Sequence, residues 1–391
     1  MTVELGHLLV VDDNKVNRML LIRSLEKEGH CVSSAVNGRE ALELLHADSY
    51  DLVLLDIEMP EMDGYQVLSS MKDDAQLRHI PVIMITAVDE IESAIRCIEM
   101  GAEDYLPKPF NPILLRARIG ASLDKKHLRD KEQLYLKSLE RELEIGRDIQ
   151  AGFLPTDLPQ ASGWEIAASL KSAKEVAGDF YDAFYLESED KICLVIADVC
   201  DKGVGAALFM TLFRSLLRFT IGATDAFGER SPASRLKYAV TLTNNYIANT
   251  HGETGMFATI FFGLLDPADG SLIYINAGHE NPLVVNSNGV CAILKKTGPA
   301  VGIITDVEFT VQEVQLYPGI LFFAFTDGAP DALNPAGNSF GRERLISLLN
   351  NDISAKILLD NMDVQLKEFI GEAEQFDDIT LLIVQRSACS K

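Results

Sequence analysis

In the stretch LVLLDIEMPEMDG, residues 52–64, the apolar run Leu52–Leu55 reads as a strand that ends on Asp56, and an amphipathic helix follows over Tyr65–Lys72. The same alternation extends in both directions. His7–Val11, Val32–Ala35, Val82–Ile85 and Tyr105–Leu106 read as further strands. Lys15–Glu28, Gly38–His46, Glu90–Met100 and Pro112–Leu123 read as further helices. Five strand–helix units in succession imply a parallel sheet wrapped by helices on both faces.

Beyond Asp124 the composition shifts to Lys, Arg and Glu, with Leu128, Leu134, Leu136, Leu139, Leu143, Ile145 and Ile149 interspersed. To about Gln150 this reads as one long helix with an apolar stripe. The stripe fits either a dimerising or interdomain helix, or a helix packed on the domain that follows. After Pro155 the chain becomes strand-rich. Glu165–Ser169, Phe180–Tyr185, Ile192–Ala197, Phe257–Leu265, Leu272–Asn276, Leu283–Asn286, Leu321–Phe325 and Ile379–Val384 are the expected strands. Turn chemistry at Pro267–Gly270 and Ser287–Gly289 predicts hairpins. Helices are expected near Ala206–Ile221, Ser234–Asn249, Arg342–Leu349 and Ala355–Ile370. Such segregation points to an α+β sandwich.

Functional groups in a doubly wound sheet gather at the carboxyl ends of its strands. Asp12 and Asp13 end the first strand, Asp56 the third and Thr86 the fourth, and Lys108 follows the fifth. Any one acid could be a helix cap. Three carboxylates converging on one pocket repel one another unless a hard divalent cation lies among them, and Mg²⁺ suits an all-oxygen set. The motifs Val-Val-Asp-Asp (10–13), Leu-Leu-Asp-Ile-Glu-Met-Pro-Glu-Met-Asp-Gly (54–64), Ile-Thr-Ala (85–87) and Lys-Pro-Phe (108–110) closely resemble those of response-regulator receiver domains over residues 1–124. The resemblance implies that Asp56 is the phosphoacceptor, with a sensor histidine kinase as phosphodonor. It implies that Asp12, Asp13, Asp56 and the Glu58 backbone carbonyl hold Mg²⁺. It further implies that Thr86 and Lys108 bind the phosphoryl group, that Tyr105 is the aromatic switch, and that the peptide before Pro109 is cis.

Four acidic signals mark the second half: Ala-Gly-Asp-Phe-Tyr-Asp (177–182), Ala-Asp-Val-Cys-Asp-Lys-Gly (197–203), Phe-Thr-Asp-Gly (325–328) and Phe-Asp-Asp-Ile-Thr (376–380). Asp-Gly and Asp-Asp pairs are common in turns, but acids adjoining apolar strands are costly unless paired or coordinated. No set of arginines is evident beside them in the sequence. Two Mg²⁺ or Mn²⁺ ions would satisfy several carboxylates at once and orient water for attack on phosphorus. These motifs, with the lead-in 143–155 and Asn-Ala-Gly-His-Glu-Asn-Pro (276–282), resemble PPM-type metal-dependent serine/threonine phosphatases of the SpoIIE and RsbU branch over roughly 140–387. The resemblance implies that Asp179, Asp198, Asp327 and Asp377 are metal ligands, joined by the Val199 carbonyl. Asp378 is a further candidate ligand. Lys174 and Lys202 are candidate phosphate contacts or solvated lysines, and His279 a candidate general acid or a structural residue. Ala177 stands where the family has glycine, and so does Asp201; aspartate tolerates a left-handed turn.

The expected fold class is thus α/β plus α+β: a doubly wound five-stranded parallel receiver (1–124), a helical linker (125–155) serving as a dimerisation or switch helix, and a layered α/β/β/α antiparallel sandwich (156–387). The formal net charge of −23 argues against a nucleic-acid partner. Six scattered cysteines without a CxxC pair argue against structural zinc and read as reduced thiols. No signal-peptide pattern opens the chain, and the apolar run Ala206–Ala223 carries Arg214 and Arg218, as a buried helix rather than a membrane span would. The chain is expected to be cytoplasmic, a homodimer, and an enzyme acting on a phosphorylated anti-sigma-factor antagonist, the usual substrate of the resembled branch. A binding module that sequesters a phosphoprotein without hydrolysing it is the competing expectation.

Overall fold

Strands buried on both faces show unbroken apolar runs whose alternate residues enter opposite cores. The N-terminal strands behave this way in the computed structural model, which describes residues 5–87, 91–187, 189–223 and 231–388. The expected helix start at Glu90, and Cys389, lie outside the described residues. Elements run β1 (His7–Val11), α1 (Lys15–Lys27), β2 (Cys31–Ala35), α2 (Gly38–Ala47), β3 (Leu52–Asp56), α3 (Gly64–Asp73), β4 (Val82–Ala87), α4 (Ile91–Glu99), β5 (Asp104–Lys108) and α5 (Pro112–Ala151). The sheet is parallel with order β2-β1-β3-β4-β5. Leu9, Val11, Val53 and Leu55 enter one core with Val67, Leu68 and Met71 of α3. Leu8, Val10, Leu52 and Leu54 enter the other with Leu21 and Leu25 of α1 and Leu115, Ile119 and Leu123 of α5.

The structure merges two expected helices into one. The segments Pro112–Leu123 and 124–150 form a single 40-residue helix, α5. No Pro or helix-terminating glycine interrupts them; Gly120 has open space around it. The chain divides into compact units at Leu139/Glu140, inside that helix and within the stretch 125–155 expected as a linker.

The second unit contains β6 (Trp164–Lys171), β7 (Phe180–Leu186), β8 (Lys191–Val199), α6 (Val204–Ala223), α7 (Pro232–His251), β9 (Ala258–Leu265), β10 (Ser271–Ala277), β11 (Leu283–Asn286), β12 (Gly289–Ile293), β13 (Gln312–Gln315), β14 (Leu321–Phe325), α8 (Gly328–Asp331), α9 (Arg342–Ser347), α10 (Ala355–Ile370) and β15 (Ile379–Arg386). Two antiparallel sheets, β13-β10-β9-β8-β7 and β12-β11-β14-β15-β6, form the sandwich. Leu194, Ile196 and Phe261 of one sheet meet Phe322, Leu382 and Val384 of the other. Met210, Phe213 and Leu217 of α6 cover one outer face, with Leu236 and Val240 of α7. Leu358, Leu359, Met362 and Leu366 of α10 cover the other.

The strands β12 and β13 and the helix α8 go beyond the expected set. β12 and β13 are short edge strands in which no residue is buried, so period-two alternation is faint in them. Helix α8 spans four residues. α6 is long and apolar enough to cross a membrane by length and composition. Here its arginines ion-pair with the fully buried Asp182 of β7, Arg214 at 3.0 Å and Arg218 at 2.5 Å. The last acid of the 177–182 motif thus does have arginines beside it, supplied from a helix more than thirty residues downstream.

Candidate active sites

Register alone assembles the first site. Val11 pairs with Leu55, so Asp12 and Asp56 leave adjacent strands side by side. Asp56 pairs with Ile85, and Ala87 with Lys108, which bring Thr86 and Lys108 to the same edge. Lys108 Nζ lies 2.6 Å from Asp56 Oδ2 and 3.2 Å from Asp12 Oδ2. Asp12 Oδ1 accepts the Asn14 amide at 2.8 Å. Carboxylate oxygens of Asp12, Asp13 and Asp56 all lie within 4.8 Å of one another. That all-oxygen donor set, with Asp13 open to solvent, fits an octahedral divalent cation that keeps part of its water. Burial pushes the Asp56 carboxyl up to about 6, opposed by the Lys108 hydrogen bond and assisted by Asp12. Burial works against the Lys108 charge, but its bond to Asp56 carries the ammonium above its ordinary value.

The loop beyond Asp56 is tightly built. Asp63 and Gln66 form a capping box at the start of α3. A Cβ on Gly64 would come within 2.2 Å of the Asp56 carbonyl oxygen, so glycine alone permits this approach. Thr86 is buried and Glu58 exposed. Tyr105 is half-buried, with the Arg118 guanidinium 5.0 Å from its ring centroid. The Lys108–Pro109 peptide is cis, as the resemblance implied.

The second site lies where β8, β14 and β15 end or begin near the loop before β7. Asp179 is buried, and its Oδ2 accepts hydroxyls from Thr326 and Thr380, each at 2.7 Å. Both threonines stand inside the quoted motifs Phe-Thr-Asp-Gly and Asp-Asp-Ile-Thr, but only the fold shows that they converge on one oxygen. Asp198 lies within hydrogen-bond reach of Asp179. Burial, then Asp327 and Asp377, push Asp198 up to about 7. Burial, then Asp198 and Asp378, raise Asp179. The protein around Asp327 raises it too, followed by Asp377, Asp331 and Glu280. Asp179, Asp198, Asp327 and Asp377 therefore form one chain of mutually repelling carboxylates. Among the described residues only the Asp12–Asp13–Asp56 trio closes to single-ion spacing. An extended all-oxygen set of this kind fits two oxygen-seeking divalent ions better than one. The Val199 carbonyl faces Gly178, where an added Cβ would lie 3.1 Å from it.

The remaining candidates separate. Asp378 Oδ1 accepts the Ala173 amide, and Oδ2 the Gly178 amide, both at 2.7 Å. Its oxygens thus hold the Asp179 loop. Lys202 Nζ pairs with Asp377 at 2.9 Å, lies 3.6 Å from the Phe376 ring centroid and donates to the Phe376 carbonyl. Lys174 is exposed. His279 is buried, its Nδ1 bonded to Thr259 Oγ1 at 2.9 Å. Burial first, then Lys296, lowers it to about 3, the value of a neutral structural imidazole. Asp201 takes φ 70° and Gly203 φ 84°, so the turn accommodates the aspartate.

Gln150 of α5 is a residue that sequence reasoning missed. Its Nε2 donates to the Ala177 carbonyl at 2.6 Å, and its Oε1 accepts the Ala177 amide at 2.9 Å. Arg147 Nε donates to the Glu175 carbonyl at 2.8 Å. The last turns of α5 thus grip the loop that leads into Asp179. In the sequence nothing sets it apart from the charged residues of the same helix; its burial shows only in the fold.

Comparison with known proteins places both units. Residues 8–120 match the response regulator receiver domain. Residues 188–387, just over half of the chain, match the family described as stage II sporulation protein E (SpoIIE). The chain belongs to the SpoIIE family. This SpoIIE-family chain is 45% identical over 266 residues to protein IcfG of Synechocystis sp., covering 63% of the chain and 42% of that relative. Over 114 residues it is 45% identical to response regulator PleD of Caulobacter vibrioides, covering 29% of the chain and 25% of the relative. The matches thus span less than half the length of these relatives. The SiaA-PP2C domain of Pseudomonas aeruginosa shares the fold, with 24% identity, a TM-score of 0.53, and coverage of 64% of this chain and 98% of that one. The chain therefore joins a receiver domain to a SpoIIE/PP2C-like phosphatase domain.

Proposed function

We propose that this chain is a response regulator in which phosphorylation of Asp56 controls a metal-dependent protein serine/threonine phosphatase. In the receiver, an Asp56 oxygen would attack the phosphorus of a sensor kinase's phosphohistidine; the O–P bond forms as the N–P bond breaks. Lys108, already on Asp56, would pair with the phosphoryl oxygens, and Thr86 would take another. Asp12, Asp13, Asp56 and the Glu58 carbonyl would hold Mg²⁺.

In the phosphatase unit, Asp179, Asp198, Asp327 and Asp377, with the Val199 carbonyl, would hold two Mn²⁺ or Mg²⁺. Such ions supply charge stabilisation at phosphorus and a water acidic enough to act at neutral pH. Thr326, Thr380 and Asp378 fix Asp179 and its loop. The observation that carries this reading is the chain of repelling carboxylates gathered from four separated motifs. The proposed substrate is a phosphorylated anti-sigma-factor antagonist in a cytoplasmic partner-switching pathway. Retention of all four acids favours activity over mere sequestration, and the departures at Ala177 and Asp201 do not oppose it, because Gln150 holds the Ala177 backbone and the turn accepts Asp201.

Control would pass along α5 through Gln150 to Ala177 and on to Asp179. Exposed Leu128, Leu134, Tyr135, Leu136 and Leu139 on the same helix support homodimerisation. The decisive experiment is hydrolysis of p-nitrophenyl phosphate by the full chain in Mn²⁺. Asp327→Asn should lose about a hundredfold or more. Equal rates in the two proteins would remove the enzyme reading.

A further inference from the structure

A site built of acids in a chain of net charge −23 must still admit a phosphoprotein, which is itself anionic at the reacting residue. Lys202 is committed to Asp377 and to the Phe376 ring and carbonyl. A second cation, Arg342, stands near the turn that follows Asp327, a place the sequence did not suggest. The turn after Asp327 is closed by two backbone bonds, Asp331 N–H to the Asp327 carbonyl and Gly341 N–H to the Pro330 carbonyl, both at 2.9 Å. Gly341 takes φ 84° and immediately precedes α9, so the first residue of that helix, Arg342, stands next to a residue bonded to the turn after Asp327.

The Arg342 guanidinium lies 5.3 Å from the ring centroid of Phe325, two residues before Asp327. Nη1 donates to Glu280 Oε2 at 2.8 Å, and Nη2 to the Asn281 carbonyl at 3.2 Å. Glu280 itself is near enough to Asp327 to act on its carboxyl. The Arg342 and Glu280 side chains remain 37% and 34% exposed, which leaves the pair open to an incoming group. Two bonds engage two of the five N–H donors of a guanidinium, and its planar fork suits carboxylate or phosphoryl oxygens. An ion pair this exposed adds little to stability.

We infer that Arg342 is a specificity-determining residue of the phosphatase site, binding anionic oxygens of the phosphoprotein substrate while Glu280 holds the guanidinium in place near the turn that follows Asp327. The inference rests on the phosphatase reading above. The anionic oxygens belong either to the phosphoryl group or to a carboxylate flanking the phosphorylated residue.

The full chain, Arg342→Ala and Arg342→Lys are compared in Mn²⁺ on three substrates: p-nitrophenyl phosphate, a phosphoserine peptide with acidic flanks, and the same peptide with neutral flanks. Arg342→Ala should raise KM roughly tenfold, with kcat changed far less, and Arg342→Lys should restore part of the loss. A rise on all three substrates assigns the contact to the phosphoryl group. A rise confined to the acidic-flanked peptide assigns it to the carboxylate. Unchanged KM on every substrate, or a fall in kcat alone, overturns the inference. Peptide binding to Asp327→Asn, with and without Arg342→Ala, is read in parallel by calorimetry. Loss of hydrolysis in the parent chain would then count against the phosphatase reading, while binding that does not weaken would count against Arg342.

Discussion

His279 shows how burial fixes a residue's role. Its imidazole is held near 3, against about 6.5 when unfolded, so it stays neutral in the folded chain through the mildly acid range. The unfolded chain takes up a proton there and the folded one does not. The stability this histidine supports is fully present above pH 6.5 and is lost as pH falls from 6.5 toward 3, by at most about 4–5 kcal/mol. Thermal unfolding of His279→Gln should therefore depend less steeply on pH over that interval than the parent; parallel curves would contradict the assignment. At Gly64 the constraint is steric. An added methyl would meet the Asp56 carbonyl at 2.2 Å. Gly64→Ala should cost about 1–3 kcal/mol in denaturant unfolding and slow phosphorylation of Asp56 by a small phosphodonor, and a fully stable variant would show that the loop yields easily.

Among the elements, α5 carries the proposed coupling. Its first turns bury Leu115, Ile119 and Leu123 in the receiver core, and its last turns bind the Ala177 loop through Gln150. Gln150→Ala leaves the Ala177 amide and carbonyl without their side-chain partner in a buried setting. Phosphatase kcat should fall roughly tenfold, by the cost of unsatisfied buried groups, with receiver phosphorylation unchanged by mass measurement. A Leu139→Pro chain should hydrolyse p-nitrophenyl phosphate at a rate insensitive to the phosphodonor, because the helix is interrupted where the compact units divide. Retained phosphodonor sensitivity in that chain would exclude transmission through an intact α5. The strand ends were legible before the fold because an acid after an apolar run is conspicuous. Gln150 was not, because a glutamine in a charged helix looks solvated until its partner loop is known.

For the whole molecule, two independent carboxylate sets predict two separate metal responses. A ligand that binds only the folded form stabilises it by about 2.7 kcal/mol at a hundredfold excess over its dissociation constant. Mg²⁺ or Mn²⁺ should raise the melting of the full chain, since each set is destabilised by its own repulsion. In Asp56→Asn the receiver's share of that gain should shrink while the phosphatase share persists, and Asp327→Asn should do the reverse. A single metal effect abolished equally by both substitutions would show the two sites to be one linked system.

Local sequence determined the parallel sheet and the aspartates at its strand ends, since each depends on strand periodicity or on residues adjacent in the chain, whereas the cis peptide before Pro109 was legible only through the family resemblance. The left-handed turn at Asp201 was likewise expected from the resembled family, in which glycine stands at that position. Tertiary structure alone separated the acids that face one another from those committed to amides and arginines. Asp378 follows Asp377 directly, yet its oxygens are spent on amides some two hundred residues away. Asp182 ends the same motif as Asp179, yet it answers two arginines on α6. The threonine pair on Asp179, the Gln150 grip and the Glu280–Arg342 pair likewise join residues distant in sequence. Hydrogen bonds and ion pairs depend on distance in space, and the chain order carries that distance only through the completed fold.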